Sequence, residues 1–208
     1  MISLHQSFRK QPFIGFIETV PSYASLAVFY DPLLVREAHS GSHQASDQVK
    51  AIIAQHIDAM NDQPLTHEKK LITIPVYYNG EDLEFIARQK GRSVEEVISL
   101  HHSRNYRVFM IGFLPGFPYM GTVDERIAMP RRSSPRTKVK AGSIGIAGVQ
   151  TGIYPLDSPG GWQLIGQTPL RIFDKNKEPV CLLAAGNEVR FVPISKEEFE
   201  AQNEYPDS

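Results

Sequence analysis

A single cysteine, Cys181, leaves no partner for an intramolecular disulfide and no material for a cysteine-based zinc cluster. It sits in the apolar run Val180-Cys-Leu-Leu-Ala184 and is expected to behave as a small buried hydrophobe. Charge of one sign is also missing. Lys and Arg number 22 against 23 Asp and Glu, a formal net charge of −1 in 208 residues, so nothing favours a nucleic-acid or polyanion partner. No apolar stretch approaches the ~18 residues of a membrane span. The opening MISLHQSFRK has no apolar core of a secretory signal. A cytoplasmic protein is expected. No Gly-Lys dipeptide occurs, which excludes a Walker loop, and no H-E-x-x-H or other metal spacing appears, so no metal site is expected.

What is present falls into two regions. Residues 14–20 and 25–30 are β-rich runs separated by Pro21-Ser22-Tyr23-Ala24 and predict a hairpin. Val49, Ile52, Ile53, Ile57 and Met60 recur at helical spacing and predict a helix from Ser46 to about Met60. The polar stretch 61–70 contains Pro64 and reads as a connector, dividing a small α+β module at 1–68 from a second domain at 69–208. The second domain opens with a strand at 71–78, whose Pro75 implies an edge or a bulge. Two short helices follow. One covers Asp82–Gln89 and stops at Gly91; the other starts at Ser93-Val-Glu-Glu96, a capping-box pattern. Beyond Asn105 come short β-like runs at 106–113, 143–147, 149–154, 162–166, 170–173, 180–184 and 188–192, as in a sandwich or closed barrel. The end, Lys196–Ser208, carries five acids and one base and reads as a short helix and a solvated tail.

Glycine and proline are ordinary in total but not in placement: residues 112–169 hold 10 of the 15 glycines and 7 of the 15 prolines. Three features there carry candidate chemistry. In Gly112-Phe-Leu-Pro-Gly-Phe-Pro-Tyr119, Pro115 and Gly116 stiffen a turn from which Phe113, Phe117 and Tyr119 project, either as a pocket rim or as a structural cap. Residues 126–140 hold six bases and no acid, and Arg131, Arg132 and Arg136 are candidates to grip a carboxylate or phosphate, with a solvated loop as the alternative. The glycine-rich stretch 141–162 supplies Gln150, Thr151, Tyr154 and Ser158 as polar candidates. Gly160, Gly161 and Trp162 complete the frame, Trp162 being a stacking wall or simply core. Just upstream, His101 shares the inner face of its helix with Val94, Val97 and Ile98 and is either an acid/base group or a buried, hydrogen-bonded histidine. His102, about 100° away on the helix, faces water.

The ordered segments HHSRNYRVFMIGFLPGFPYMG, PRRSSPRTKVKAGSIGIAGVQTGIYPLDSPGGW and LIGQTPLRIF resemble the allophanate hydrolase subunit 1/KipI family, which includes the B-type subunit of 5-oxoprolinase and one half of the carboxyltransferase region of urea carboxylases. The resemblance is continuous over about 71–192 and weaker over 13–32. It implies an α+β N-terminal module followed by a mainly-β cyclophilin-like barrel. It further implies that Ile2–Phe8 is the last part of a helix usually preceded by another strand, so that the N-terminal sheet has an exposed edge and the chain starts late or has been shortened. The implied activity is ATP-dependent opening of 5-oxo-L-proline to L-glutamate, with ATP shared among subunits. The implied partners are a KipA-like second cyclophilin-like subunit (allophanate hydrolase subunit 2) and a LamB/YcsF-like third subunit. On matching positions, Arg131, Arg132 and Arg136 would hold phosphate and carboxylate. Gln150, Thr151 and Tyr154 would act at the lactam, and His101 would be an acid/base or orienting group. The family's other activities remain alternatives: KipI-type inhibition of a sensor histidine kinase, or a urea carboxylase-type component. The latter would need biotin from another chain, since no Met-Lys-Met sequence is present.

Overall fold

The computed structural model describes residues 1–38, 44–62, 70–203 and 205. The chain divides into two compact units, Met1–Glu68 and Lys69–Ser208. The connector expected at 61–70 falls largely on residues 63–69, outside the described residues, as does most of the tail beyond 203.

The first unit is α+β. Its elements are α1 (Ile2–Lys10), β1 (Phe16–Pro21), β2 (Leu26–Tyr30), α2 (Pro32–Ala38) and α3 (Ala45–Asp62). The two strands form the expected antiparallel hairpin, and among the described residues no third strand joins them. Helix α1 buries Phe8 completely, with the rings of Phe13, Phe16 and His56 around it at 5.9, 6.0 and 4.3 Å. Polar pairs fix the same helix: His5 Nδ1 meets Thr19 Oγ1, and Ser7 Oγ meets His56 Nδ1, each at 2.7 Å.

The second unit is mainly β. Strand β3 (Leu71–Val76) leads into α4 (Leu83–Lys90), α5 (Val94–His102) and β4 (Asn105–Ile111). Then come β5 (Pro118–Gly121), a 3-10 turn at Glu125–Ile127, β6 (Arg136–Val139), β7 (Ser143–Ala147) and β8 (Gln150–Ile153). The chain closes with β9 (Ser158–Gly160), β10 (Gln163–Gln167), β11 (Glu188–Pro193) and α6 (Lys196–Gln202). Seven strands make one sheet in the order β10-β7-β8-β5-β4-β11-β3, antiparallel except for the β11–β3 pair. The sheet curls until Tyr77, just past one edge strand, exchanges both backbone hydrogen bonds with Gln167 at the end of the other, each 2.9 Å. β3 is an edge, which is where Pro75, lacking an N–H, is tolerated. Inside the curl lies a core built on Ile74, Val76, Ile86, Tyr106, Ile144 and Phe191. The Ser93 capping box forms, and α4 ends on Gly91 in the left-handed region with φ 59°.

An α+β module followed by a mainly-β unit is thus the architecture, as the sequence implied. Two expected strands do not form. Residues 170–173 and 180–184 meet only through the Phe173–Cys181 bridge, because Pro169 and Pro179 remove donors beside a polar turn. Cys181 consequently sits half-buried rather than in the core. His102 is also half-buried, not water-facing.

The β3–α4 turn presses directly on β10. A side chain at Gly80 would run into the Leu164 carbonyl and the Ile165 backbone. Gly80→Ala is therefore expected to destabilise the protein by about 1–3 kcal/mol through overpacking, seen as a lowered midpoint in urea unfolding.

Candidate functional site

The turn held by Gly80 delivers Asp82, the residue before α4, into the second unit with only 3% of its surface exposed. Its Oδ1 accepts from Arg132 Nη1 at 2.9 Å and Arg136 Nη2 at 2.8 Å. Its Oδ2 accepts from Arg136 Nη2 at 2.7 Å and from the Leu164 backbone N–H at 2.7 Å. Arg136 directs its remaining donors to Glu81 Oε2 at 3.2 Å and the Trp162 carbonyl at 3.4 Å. Two of the three arginines read as anion ligands are therefore tied to acids of their own chain. Arg136 is wholly engaged and its side chain is 13% exposed, so it is corrected from a substrate ligand to a positioning residue. Arg132 commits only Nη1. Arg131 lies over the Trp162 ring, its guanidinium carbon 6.0 Å from the centroid.

Behind Arg131 stands an aromatic cluster. Phe117, 1% exposed, packs edge-on against Tyr154 and Trp162 at 5.2 and 5.3 Å and lies 4.9 Å from Tyr119. Phe113 crosses it at 5.7 Å from a positive-φ position and is the exposed member; Pro115 is exposed beside it. Glycine is required at Gly116, where φ is 82° and a Cβ would meet Phe173, and at Gly160, whose Cβ would strike the Tyr154 ring. Gly161 accepts a 2.7 Å hydrogen bond from the Arg132 N–H. Trp162, 4% exposed, is core, and Tyr154, 1% exposed, hydrogen-bonds to the Trp162 backbone. Burial pushes both the Tyr154 and Tyr119 hydroxyls up in pKa. Tyr154 is thereby corrected from a group acting on substrate to a wall behind Arg131.

His101 is elsewhere, fully buried in the main core. Tyr78 O–H donates to its Nδ1 at 2.8 Å, its Nε2–H donates to Thr151 Oγ1 at 3.0 Å, and the Thr151 hydroxyl donates to the Gly145 carbonyl at 3.0 Å. That direction follows from the chain's end: a carbonyl can only accept, so Thr151 must donate to it and receive from His101. Burial pulls the imidazole pKa down to about 3, helped by His102. Neutral, enclosed and with both nitrogens engaged, His101 reaches no solvent and serves structure. Thr151, 0% exposed, shares that role and does not face the arginines. Ser158 is buried, its hydroxyl turned to the Pro159 carbonyl. Gln150 is half-buried at the start of β8.

The structure thus gathers Arg131, Arg132, Arg136, Tyr119, Tyr154, Trp162 and the glycine frame, and separates them from His101 and Thr151. Beside the arginines is a cavity of about 480 Å³ whose wall includes Asp82, Phe85, Gln89, Met129, Arg131 and Gln163. Asp82, Gln89 and Gln163 were not legible as site residues. Asp82 lies 50 positions before Arg132 and reads in the sequence only as the start of a short helix. A second cavity of about 570 Å³ is lined by Lys140, Arg171, Lys175, Phe199 and Tyr205 among others. Among the described residues, no group of three or more His, Cys, Asp or Glu side chains is placed to hold a metal, and no helix is long and apolar enough to cross a membrane.

This fold is that of a carboxyltransferase-type domain. Residues 1–183 match the carboxyltransferase domain, subdomain C and D, and the chain belongs to that family. It is 45% identical over 199 residues to the B-type subunit of 5-oxoprolinase from Bacillus subtilis (strain 168), covering 94% of this chain and 82% of that one. Among solved structures, TTHA0988 superposes with a TM-score of 0.79 at 34% identity, over 93% of this chain and 36% of that chain. This chain therefore spans about a third of TTHA0988. PH0987 from Pyrococcus horikoshii superposes with a TM-score of 0.61 at 44% identity, over 95% and 88% of the two chains.

Two outcomes test this geometry. Asp82→Asn strips Arg136 of its buried counter-charge and is expected to cost about 3–5 kcal/mol in urea unfolding. Asp82→Leu combined with Arg136→Met restores most of the loss. For His101, the folded pKa lies below the ordinary 6.5, so the unfolded chain binds the extra proton between pH 6.5 and about 3. Stability falls as pH drops through that window, by up to about 1.4 kcal/mol per pH unit for one proton. Unfolding midpoints of wild type and His101→Gln at pH 7 and 5 should show the variant losing part of this dependence.

Proposed function

We propose that the chain is the B-type subunit of an ATP-dependent 5-oxoprolinase, acting with partner subunits to open 5-oxo-L-proline to L-glutamate. The observation that carries the reading is the 45% identity with the Bacillus subtilis protein along nearly the whole chain. A lactam carbonyl is a poor electrophile, and hydrolysis at neutral pH needs activation of its oxygen together with acid–base help. The cavity beside the arginines offers charge and shape, but none of its lining residues is a histidine. Nor does this cavity suit a triphosphate. Arg132 and Arg136 are paired with Asp82 and Glu81, which among the described residues leaves Arg131 as one uncompensated positive charge, and no Walker loop is present. Nucleotide handling is accordingly assigned to the partners, a KipA-like second subunit and a LamB/YcsF-like third. A supply of ATP places such an assembly in the cytoplasm.

Co-purifying the chain with its two partners and following 5-oxoproline-dependent ATP hydrolysis tests this. The chain alone is expected to be inactive and the complete assembly active. Hydrolysis that persists when this chain is left out would overturn the assignment.

A further inference from the structure

We propose that the 480 Å³ cavity is where this subunit holds the cyclic amide, its carboxylate on Arg131 and Arg132 and its ring N–H on Gln163. The inference rests on the 5-oxoprolinase reading and assigns that activity a binding site on this chain.

Charge comes first. The Asp82 carboxylate accepts from two arginines and a backbone N–H, so it presents no open lone pair to a ligand. Arg132 retains Nε and Nη2, and Arg131 makes no ion pair with an acid among the described residues. With Glu81 counted, a single positive charge is left over, which one carboxylate neutralises. A multiply charged phosphate chain is over-charged for the same place.

Gln163 adds an independent requirement. Its side chain is 3% exposed, its Nε2 donates to the Pro130 carbonyl at 3.0 Å, and its Oε1 is buried with no donor at all. Oε1 is closed off from water, so solvent does not compensate it, and buried acceptors are ordinarily paired. An amide N–H entering the cavity, with a small rotation of the Gln163 amide, completes it. The cavity wall otherwise consists of Phe85, Met129 and Pro130, which suit methylene groups, with the Gln89 amide and the Ser133 and Ser134 hydroxyls as donors. A five-membered lactam whose N–H is flanked by a carboxylate-bearing carbon and the ring carbonyl, with two methylenes completing the ring, matches this set. L-Proline lacks the carbonyl, and the methyl ester of 5-oxoproline lacks the charge.

The test uses the assembled complex and, separately, the full chain. Arg131→Gln, at an exposed position, and Gln163→Leu should each raise KM for 5-oxo-L-proline at least tenfold with kcat changed less than twofold. Lys175→Ala, in the other cavity, should leave both unchanged. On the chain alone, saturation-transfer NMR should detect 5-oxo-L-proline but not its methyl ester, and the signal should be lost in Arg131→Gln. An active complex whose KM is unmoved by both variants overturns the pocket and leaves the enzymatic reading standing. Arg131-dependent binding to the chain in a complex that turns over no 5-oxoproline supports the pocket and overturns that reading. Equal binding of acid and ester overturns the carboxylate assignment.

Discussion

The Asp82 carboxylate organises the second unit around the candidate site. It ties three remote stretches together: the β3–α4 turn, the arginine segment at 132–136 and the backbone of β10. Buried ion pairs often add little net stability over apolar side chains of the same shape, but leaving one partner alone is costly. What such a pair secures here is position. With Arg132 and Arg136 anchored, the intervening loop has a fixed root, and Arg131, one residue further out, is set over Trp162. The segment that looks in sequence like a run of mobile cations is, in the fold, a braced edge with one cation and part of another left over.

The same pattern governs His101. Tyr78, His101, Thr151 and the Gly145 carbonyl form a one-way relay of hydrogen bonds through the core, joining α5 to β7 and β8. A histidine so placed stays neutral at physiological pH, and its burial is tolerable because both nitrogens are paired. The imidazole that tempts a catalytic reading is therefore consumed by structure.

Local features were legible in the sequence, and long-range ones were not. The Ser93 capping box, the αL stop at Gly91, the helix at 45–62 and the exact run of β7 follow from spacing and turn chemistry, which act within a few residues. The three-residue β9 and the β6 strand inside the basic stretch were hidden, since neither shows period-two alternation and both owe their form to each other. Helix α2, starting at a proline, was likewise missed. At the candidate site, composition singled out the arginine segment but not how its side chains are engaged. Which arginine is engaged depends on Asp82, 50 residues away, and which polar residues face a cavity depends on strand register. Gln163 is selected and Thr151 rejected by that register alone.

The two cavities differ in a way that bears on which one is built for a ligand. In the larger, the acids are already answered: Asp157 by Lys138 and the Ala141 N–H, Asp174 by Arg171 and the Asn176 N–H. Its Gln167 amide donates to the Ala141 carbonyl. In the smaller, the carboxylate is more than answered, while an amide oxygen has no donor and, among the described residues, a guanidinium over tryptophan has no acid. Folding tends to leave no buried acceptor unpaired, because the desolvation it suffers is not returned. Where it does so beside surplus positive charge, the missing partners are an N–H and an anion at close quarters. Those two groups are adjacent on an α-carboxylated lactam and are not adjacent on a nucleotide phosphate, which is why the lactam, and not the nucleotide, is the proposed occupant of the smaller cavity.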